Sequence, residues 1–389
     1  MRWFESSRPS TTSARAHAMR WFESSRPSTT SARARAAKEA LWLRTSHRRM
    51  RMLRLWSLLR IGAAACVLCA SPVVAFADEP SASPSPAPQA EATFARGEEL
   101  FRGRHFREAI AVFDAYLAEH PRDARALVMR GDAKASLDQN QAALRDYNTA
   151  LGFAPEYEYG YVTRCETRLQ MDDASGALAD CNAAIRLDAS DPQAYEDRGD
   201  VFFQQGAFTA ALADYDRAIA QGQAGAYVYA ARCDTERLLG RRDRAAGDCD
   251  AALTIDPKSR RGLWARGRLE LSEHREANAI GDFNAYIALK PEASNTAYYF
   301  RGAAFNRLGK YSQAREDLEV YVAREPADPD GYVERAIARA GLAQTSAAAD
   351  DLGVALKGYR KAADEEAAAR VNAMLKALHD GAPLVPPPL

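Results

Sequence analysis

From residue 90 onward, small and aromatic side chains recur at helical spacing with polar residues between them. In 192–225, Tyr195, Gly199 and Phe202 lie four and three residues apart, the stripe of one helix face. After a short break Ala211, Tyr215 and Ala218 form a second stripe, so the segment predicts two amphipathic helices joined by a turn. The pattern returns along the chain. An Arg stands at 96, 130, 164, 198, 232, 266, 301 and 335, with intervals of 34 residues except one of 35 before Arg301. Gly follows it at 97, 131, 199, 267 and 302, and Cys at 165 and 233. A fixed period in this range marks a solenoid, in which each unit buries its apolar face on its neighbours. Eight units are placed at 90–123, 124–157, 158–191, 192–225, 226–259, 260–294, 295–328 and 329–361. Pro121, Pro155, Pro257, Pro291 and Pro326 close second helices, since Pro lacks the N–H that would continue them. Over 362–381, Val371, Met374, Leu375 and Leu378 make the stripe of one more helix, suited to covering the open end of the stack. Residues 382–389 are Pro-rich and are expected to be a frayed tail.

Within one unit, Gly131 is followed by Ala143, Tyr147, Ala150 and Pro155. Recurring in register, this pattern resembles the tetratricopeptide repeat, and the resemblance covers about 90–361. It implies an all-α fold: a right-handed α-solenoid of antiparallel helix pairs with a C-terminal capping helix. It also implies a concave groove lined by the first helix of each unit, and a non-enzymatic role as a protein-interaction scaffold. The repeated Arg is a departure, because the family's common pattern has Leu there. Asp146, Asp180, Asp214, Asp248, Asp282, Asp317 and Asp351 follow Arg130 to Arg335 by 16 residues, whereas Val112 takes that place in the first unit. An Arg on the first helix and an Asp on the second suit a charge-assisted pair repeated along the spine. Spacing leaves open whether each Arg pairs within its unit or with a neighbour.

Upstream of the array the periodicity is lost. Residues 1–18 and 19–36 are identical except for His17 against Arg35, and they carry no repeated apolar face. Residues 1–49 are therefore expected to be a disordered, duplicated extension, consistent with a start codon assigned too far upstream. Residues 50–77 read as a secretory signal peptide: Arg51, Arg54 and Arg60, then a mostly apolar run from Ile61 to Val74, then Ala75-Phe76-Ala77. The run is shorter than the roughly 20 residues a membrane span needs. No transmembrane span is expected after cleavage, and the mature chain is expected in the periplasm or secreted. Residues 78–89 form a Pro/Ser/Ala linker.

Charge sharpens this division. The chain holds 52 basic and 52 acidic residues, but residues 1–77 hold 14 Lys/Arg against 3 Asp/Glu. The remaining body is acidic, which argues against nucleic acid as a partner. No Gly-rich phosphate loop and no H-E-x-x-H stretch occurs, and of His105, His120, His274 and His379 the first two share a unit while the others lie in distant parts of the chain. No catalytic residue, metal or cofactor is therefore expected. Cys66 and Cys69 fall in the signal segment. Cys165 takes the Gly slot of its unit and Cys181 the aromatic slot, and Cys233 and Cys249 repeat this two units later. These slots face each other between paired helices, so Cys165–Cys181 and Cys233–Cys249 are the expected disulfides. Each would contribute roughly 3 kcal/mol.

The residue two after each repeated Arg should face the groove. Read along the chain it is Glu98, Asp132, Glu166, Asp200 and Asp234, then Arg268, Ala303 and Ile337. With helices packed about 8–10 Å apart, five carboxylates would form a ladder attracting a basic segment of a protein or peptide partner. Trp264, Tyr299, Arg261, Arg268 and Arg307 suggest an aromatic and basic patch toward the C-terminal half, of the residue types that dominate binding hot spots. Two other readings fit the sequence: a self-associating envelope assembly factor, and a thiol-redox or enzyme accessory subunit.

Overall fold

The computed structural model describes residues 86–222 and 224–387, and contains seventeen α-helices and no strand among them. The disordered extension and signal peptide expected over 1–77 lie outside the described residues. Two compact bodies meet between Met171 and Asp172 in sequence. The first contains α1 (Pro86–Arg102), α2 (Phe106–Glu119), α3 (Ala124–Ala135), α4 (Asn140–Phe153) and α5 (Glu158–Gln170). The second begins with α6 (Ala174–Leu187), α7 (Pro192–Gln204), α8 (Phe208–Ala220), α9 (Ala226–Leu238), α10 (Arg242–Ile255), α11 (Arg260–Ser272) and α12 (Glu276–Leu289). It continues through α13 (Asn295–Arg307), α14 (Tyr311–Arg324), α15 (Pro329–Gly341), α16 (Thr345–Lys361) and α17 (Glu365–His379). Within each body, successive helices pack as antiparallel pairs and each pair packs on the next.

The helix starts follow from the sequence. Asp123, Asp173, Asp191, Ser259, Asp328 and Asp364 each precede a helix and accept a backbone N–H from its first turn. Pro192 and Pro329 occupy the first helical position, where no N–H is needed. The same property lets α1 begin at Pro86, so 86–89, expected as linker, are helical. The turns inside the pairs are equally regular. Arg104, Asp138, Asp172, Gly206, Gly240, His274, Gly309 and Ala343 all have positive φ, each 34 residues after the last except for one step of 35. At Gly206 the two hydrogen bonds of a Schellman ending are present, Gly206 N–H to Phe203 O at 3.0 Å and Ala207 N–H to Phe202 O at 2.9 Å. The one extra residue of the array is absorbed between α12 and α13, where a 3-10 turn (Pro291–Ala293) replaces the tighter turn seen between other pairs.

Packing inside a pair explains the Gly and aromatic slots. A Cβ on Gly131 would lie 2.4 Å from Cε1 of Tyr147, so only Gly admits this ring between α3 and α4. Gly199 and Tyr215 repeat the arrangement between α7 and α8. Cys233 and Cys249 fill the same two slots between α9 and α10 and are joined by a disulfide with Cα atoms 5.4 Å apart. Cys165 and Cys181 are also disulfide-bonded.

Candidate functional site

The repeated Arg is the first polar element to place. Arg198 on α7 donates through Nε and Nη2 to both carboxylate oxygens of Asp214 on α8, at 2.8 and 2.7 Å. Its Nη1 donates to Asn182 Oδ1 on α6 at 2.7 Å. One guanidinium thus ties its own helix pair together and ties that pair to the second helix of the preceding unit. Arg130 does the same with Asp146 and Asp114, Arg232 with Asp248 and Asp216, and Arg301 with Asp317 and Asn284. The question left open by spacing has a double answer, within the unit and across to its neighbour. The outer acceptor stands on the preceding unit, two residues after that unit's equivalent of the paired Asp (Val112 in the first unit), and is Asp or Asn, because a single oxygen suffices there. With five donors in a fixed fork, Arg can serve both partners where Lys could not.

The ten candidate groove residues divide by burial. Asp132, Asp200, Asp234, Arg261, Trp264 and Tyr299 are buried, while Glu98, Glu166, Arg268 and Arg307 are half-buried. Asp132 accepts hydrogen bonds from the hydroxyls of Tyr147 at 2.8 Å and Tyr159 at 2.9 Å. Asp200 accepts from Tyr215 at 2.7 Å and Tyr227 at 2.5 Å. Asp234 is held by Arg237 at 2.7 Å. Burial opposes ionisation of Asp234, but the Arg237, Arg268 and Arg261 cations outweigh it and lower its pKa. Burial pushes the Asp132 carboxyl up to about 7 despite its two Tyr donors, with Glu166 adding to the rise. The expected five-carboxylate ladder is therefore broken at three rungs, where the carboxylate is turned into the packing between helices. Glu98 meets Arg102 on its own helix at 3.2 Å, and Glu166 remains half-buried on α5.

The expected aromatic and basic patch changes in the same way. Trp264 is 1% exposed, packed edge-on against Phe283 and Phe300 and tilted against Tyr286, and so belongs to the core of α11–α13. Tyr299 is also a core ring, against Phe300 and Tyr321. Arg261 lies over the Tyr227 ring at 4.1 Å with Asp200 at 3.5 Å. Of the patch, Arg268 and Arg307 retain surface. Arg268 spans the Phe300 and Trp264 rings, and burial with the Arg237 cation nearby lowers its pKa.

Arg307, at the end of α13, has an unforeseen partner. Its Nη2 donates to the carbonyl of Pro387 at 2.6 Å. Gly381, with φ of +72°, ends α17 in a Schellman turn, Ala382 N–H bonding Ala377 O at 2.8 Å and Gly381 N–H bonding Leu378 O at 3.3 Å. The chain then runs without regular secondary structure through 382–387. Leu384 packs against the cluster built by Val333, Ile337, Leu352 and Val371. The tail expected to fray is seated, because Gly381 aims it and Leu384 has apolar surface to cover.

The tetratricopeptide repeat family pattern matches residues 94–158 and 166–226. The solved APC/C hetero-tetramer Cut9–Hcn1 shares the fold with a TM-score of 0.61 at 15% identity, over 77% of this chain and 57% of that one. Residues 94–158 and 166–226 belong to the tetratricopeptide repeat family. Also similar are a tetratricopeptide repeat protein from Parabacteroides merdae (19% identity, TM-score 0.47, 55% of this chain and 84% of that one) and YrrB, described as having an unusual peptide-binding site (18%, 0.36, 46% and 92%). The chain spans 57% of the length of the Cut9–Hcn1 chain it matches. No curated protein matches it. Tetratricopeptide repeat proteins are generally non-catalytic scaffolds that bind protein or peptide partners. Among the described residues, no group of three His, Cys, Asp or Glu could hold a metal ion, and no helix is long and apolar enough to cross a membrane.

Proposed function

We propose that this tetratricopeptide repeat protein is a non-enzymatic scaffold that binds an extended segment of a partner protein on the face formed by its first helices. The observation that carries this reading is the contact between Arg307, on a first helix, and the Pro387 carbonyl: a stretch of chain without regular secondary structure is already held there through a backbone acceptor, with Leu384 packed on the neighbouring apolar cluster. Because Asp132, Asp200 and Asp234 are used internally, the partner is better matched to cationic donors such as Arg268 and Arg307 than to an acidic ladder. Its recognised part is a segment rich in carbonyl or carboxylate acceptors and apolar side chains. The clasps from Arg130 to Arg335 support the reading from the other side, since they hold the helices of each body in register before any partner arrives and so reduce the ordering cost of binding. We place the mature protein in an exported, oxidising compartment on two grounds: the signal pattern over 50–77 and the buried Cys233–Cys249 bond.

A pull-down from cell-envelope extract tests this. The triple variant Glu166→Lys, Arg268→Glu, Arg307→Glu is expected to lose the partners recovered by the unaltered chain while its far-UV circular dichroism is retained. Recovery of the same partners by both proteins would refute the reading.

A further inference from the structure

The site around α13, α15 and α17 is occupied, and the occupant belongs to the chain. Three features make the seating specific. Gly381 reverses the chain with a left-handed φ that a side chain would resist, so the tail leaves α17 in one direction. Leu384 finds the apolar cluster of α15, α16 and α17. The Pro387 carbonyl finds Arg307 on α13, two helix pairs back in sequence from α17. Six residues of extended chain reach about 20 Å, enough to pass across neighbouring helices about 8–10 Å apart. Pro383, Pro386 and Pro387 have no N–H to satisfy and are restricted before binding, so little order is lost when the segment lies down. Val385 is 75% exposed, while Leu384 before it and Pro386 and Pro387 after it are half-buried, so the seat takes up Leu384 and both prolines and leaves Val385 outside.

The seat itself carries polar groups beyond Arg307. Glu334 on α15 is buried, bonded through Oε2 to Asn306 Nδ2 at 2.9 Å, and burial raises its pKa against the pull of Asn306 and Arg307. Asn306 and Arg307 are adjacent at the end of α13, so Glu334 fixes the end of the helix that presents the Arg to the tail.

We propose that residues 382–387 are an internal ligand: they occupy in cis a site for extended Leu-x-Pro-Pro segments of a partner protein, which must displace the tail to bind. This rests on the scaffold reading above and names both the partner's sequence class and the regulation of the site. Among the described residues the tail is held by a single side-chain hydrogen bond, from Arg307, and by half-buried rather than buried side chains, so it can be displaced. A short tether supplies an effective concentration in the millimolar range, so a tail of about 100 μM intrinsic affinity weakens a competing peptide by about tenfold.

The test uses the full-length chain and a fluorescein-labelled Ala-Pro-Leu-Val-Pro-Pro peptide, read by fluorescence anisotropy. Leu384→Ser frees the seat without touching a helix. It is expected to bind the peptide about tenfold more tightly than the unaltered chain, and adding Arg307→Ala is expected to remove that gain. Equal affinity in the unaltered and Leu384→Ser proteins, or no binding by either, overturns the proposal. So does a concentration-dependent dimer in light scattering that Leu384→Ser abolishes, because the tail would then serve a second copy. A failed peptide assay beside an intact loss of partners in the triple variant would sink the internal ligand and leave the scaffold standing.

Discussion

At the residue scale, Asp132 shows how a groove position becomes a structural one. Helical geometry put it on the inner stripe, but Tyr147 and Tyr159 converge on its carboxylate and close it off. Its pKa of about 7 when folded exceeds the ordinary carboxylate value near 4. Between about pH 4 and pH 7 the folded state therefore keeps a proton that the unfolded state has lost. The stability this contributes is complete at the acid side of the window and is lost as pH rises through it, at about 1.4 kcal/mol per pH unit. Asn at this position cannot ionise. Urea denaturation of the unaltered chain and Asp132→Asn from pH 4 to pH 8 should give curves whose difference shrinks toward pH 7 and is then constant; parallel curves throughout would remove Asp132 as the titrating group. The sequence held a signal for this cluster. Asp132, Tyr147 and Tyr159 reappear as Asp200, Tyr215 and Tyr227, 68 residues later, the same interval that separates Cys165 and Cys181 from Cys233 and Cys249. A double-unit repeat is visible there, and a residue repeated with its partners is more often packed than presented.

At the element scale, the helix pair is defined by what stands between its two helices. Gly with an aromatic ring, Gly with Leu at Gly302 and Leu318, or Cys with Cys fills one slot, and the Arg–Asp bidentate pair closes the edge beside it. These features were legible because the period aligns them. Its outer arm was not, since Asp114, Asn148, Asn182 and Asp216 differ in charge and only the direction of the guanidinium fork shows what they share. Arg164 donates to Asn148 at 2.7 Å, so the outer arm reaches α5 as well. Interchangeability of the slots supplies a test of the disulfide. Reductant is expected to lower the unfolding free energy of the unaltered chain, with about 3 kcal/mol attributable to the 16-residue loop between Cys233 and Cys249. The double variant Cys233→Gly, Cys249→Tyr, which installs the Gly199–Tyr215 pairing, should lose that part of the reductant response while remaining folded. An unchanged response would show that this bond contributes nothing to the pair.

At the scale of the whole molecule, the repeat dictated that helices would pair and stack, while the surface they offer depended on tertiary detail. Arithmetic on a stripe places Cα atoms, and it says nothing of rings arriving from the next helix. Trp264 illustrates this: a large aromatic on the expected inner stripe, drawn into the core because Phe283, Tyr286 and Phe300 surround it. Arg307 illustrates the converse, a polar residue whose partner lies 80 positions away in a tail that carries no helical period. What survives as half-buried candidates is Glu98 and Glu166 in the first body and Arg268 and Arg307 in the second. The opposite expectation would place partners on the exposed apolar ends of second helices, at Ile255 (52% exposed) and Leu289 (40%). Photo-crosslinking on the full chain separates the two most directly, with a benzoylphenylalanine placed singly at 166, 268, 307, 255 or 289 and the adducts read by mass spectrometry. The account predicts partner adducts from 166, 268 and 307 and none from 255 or 289; adducts from 255 and 289 alone, or equally from all five, would contradict it.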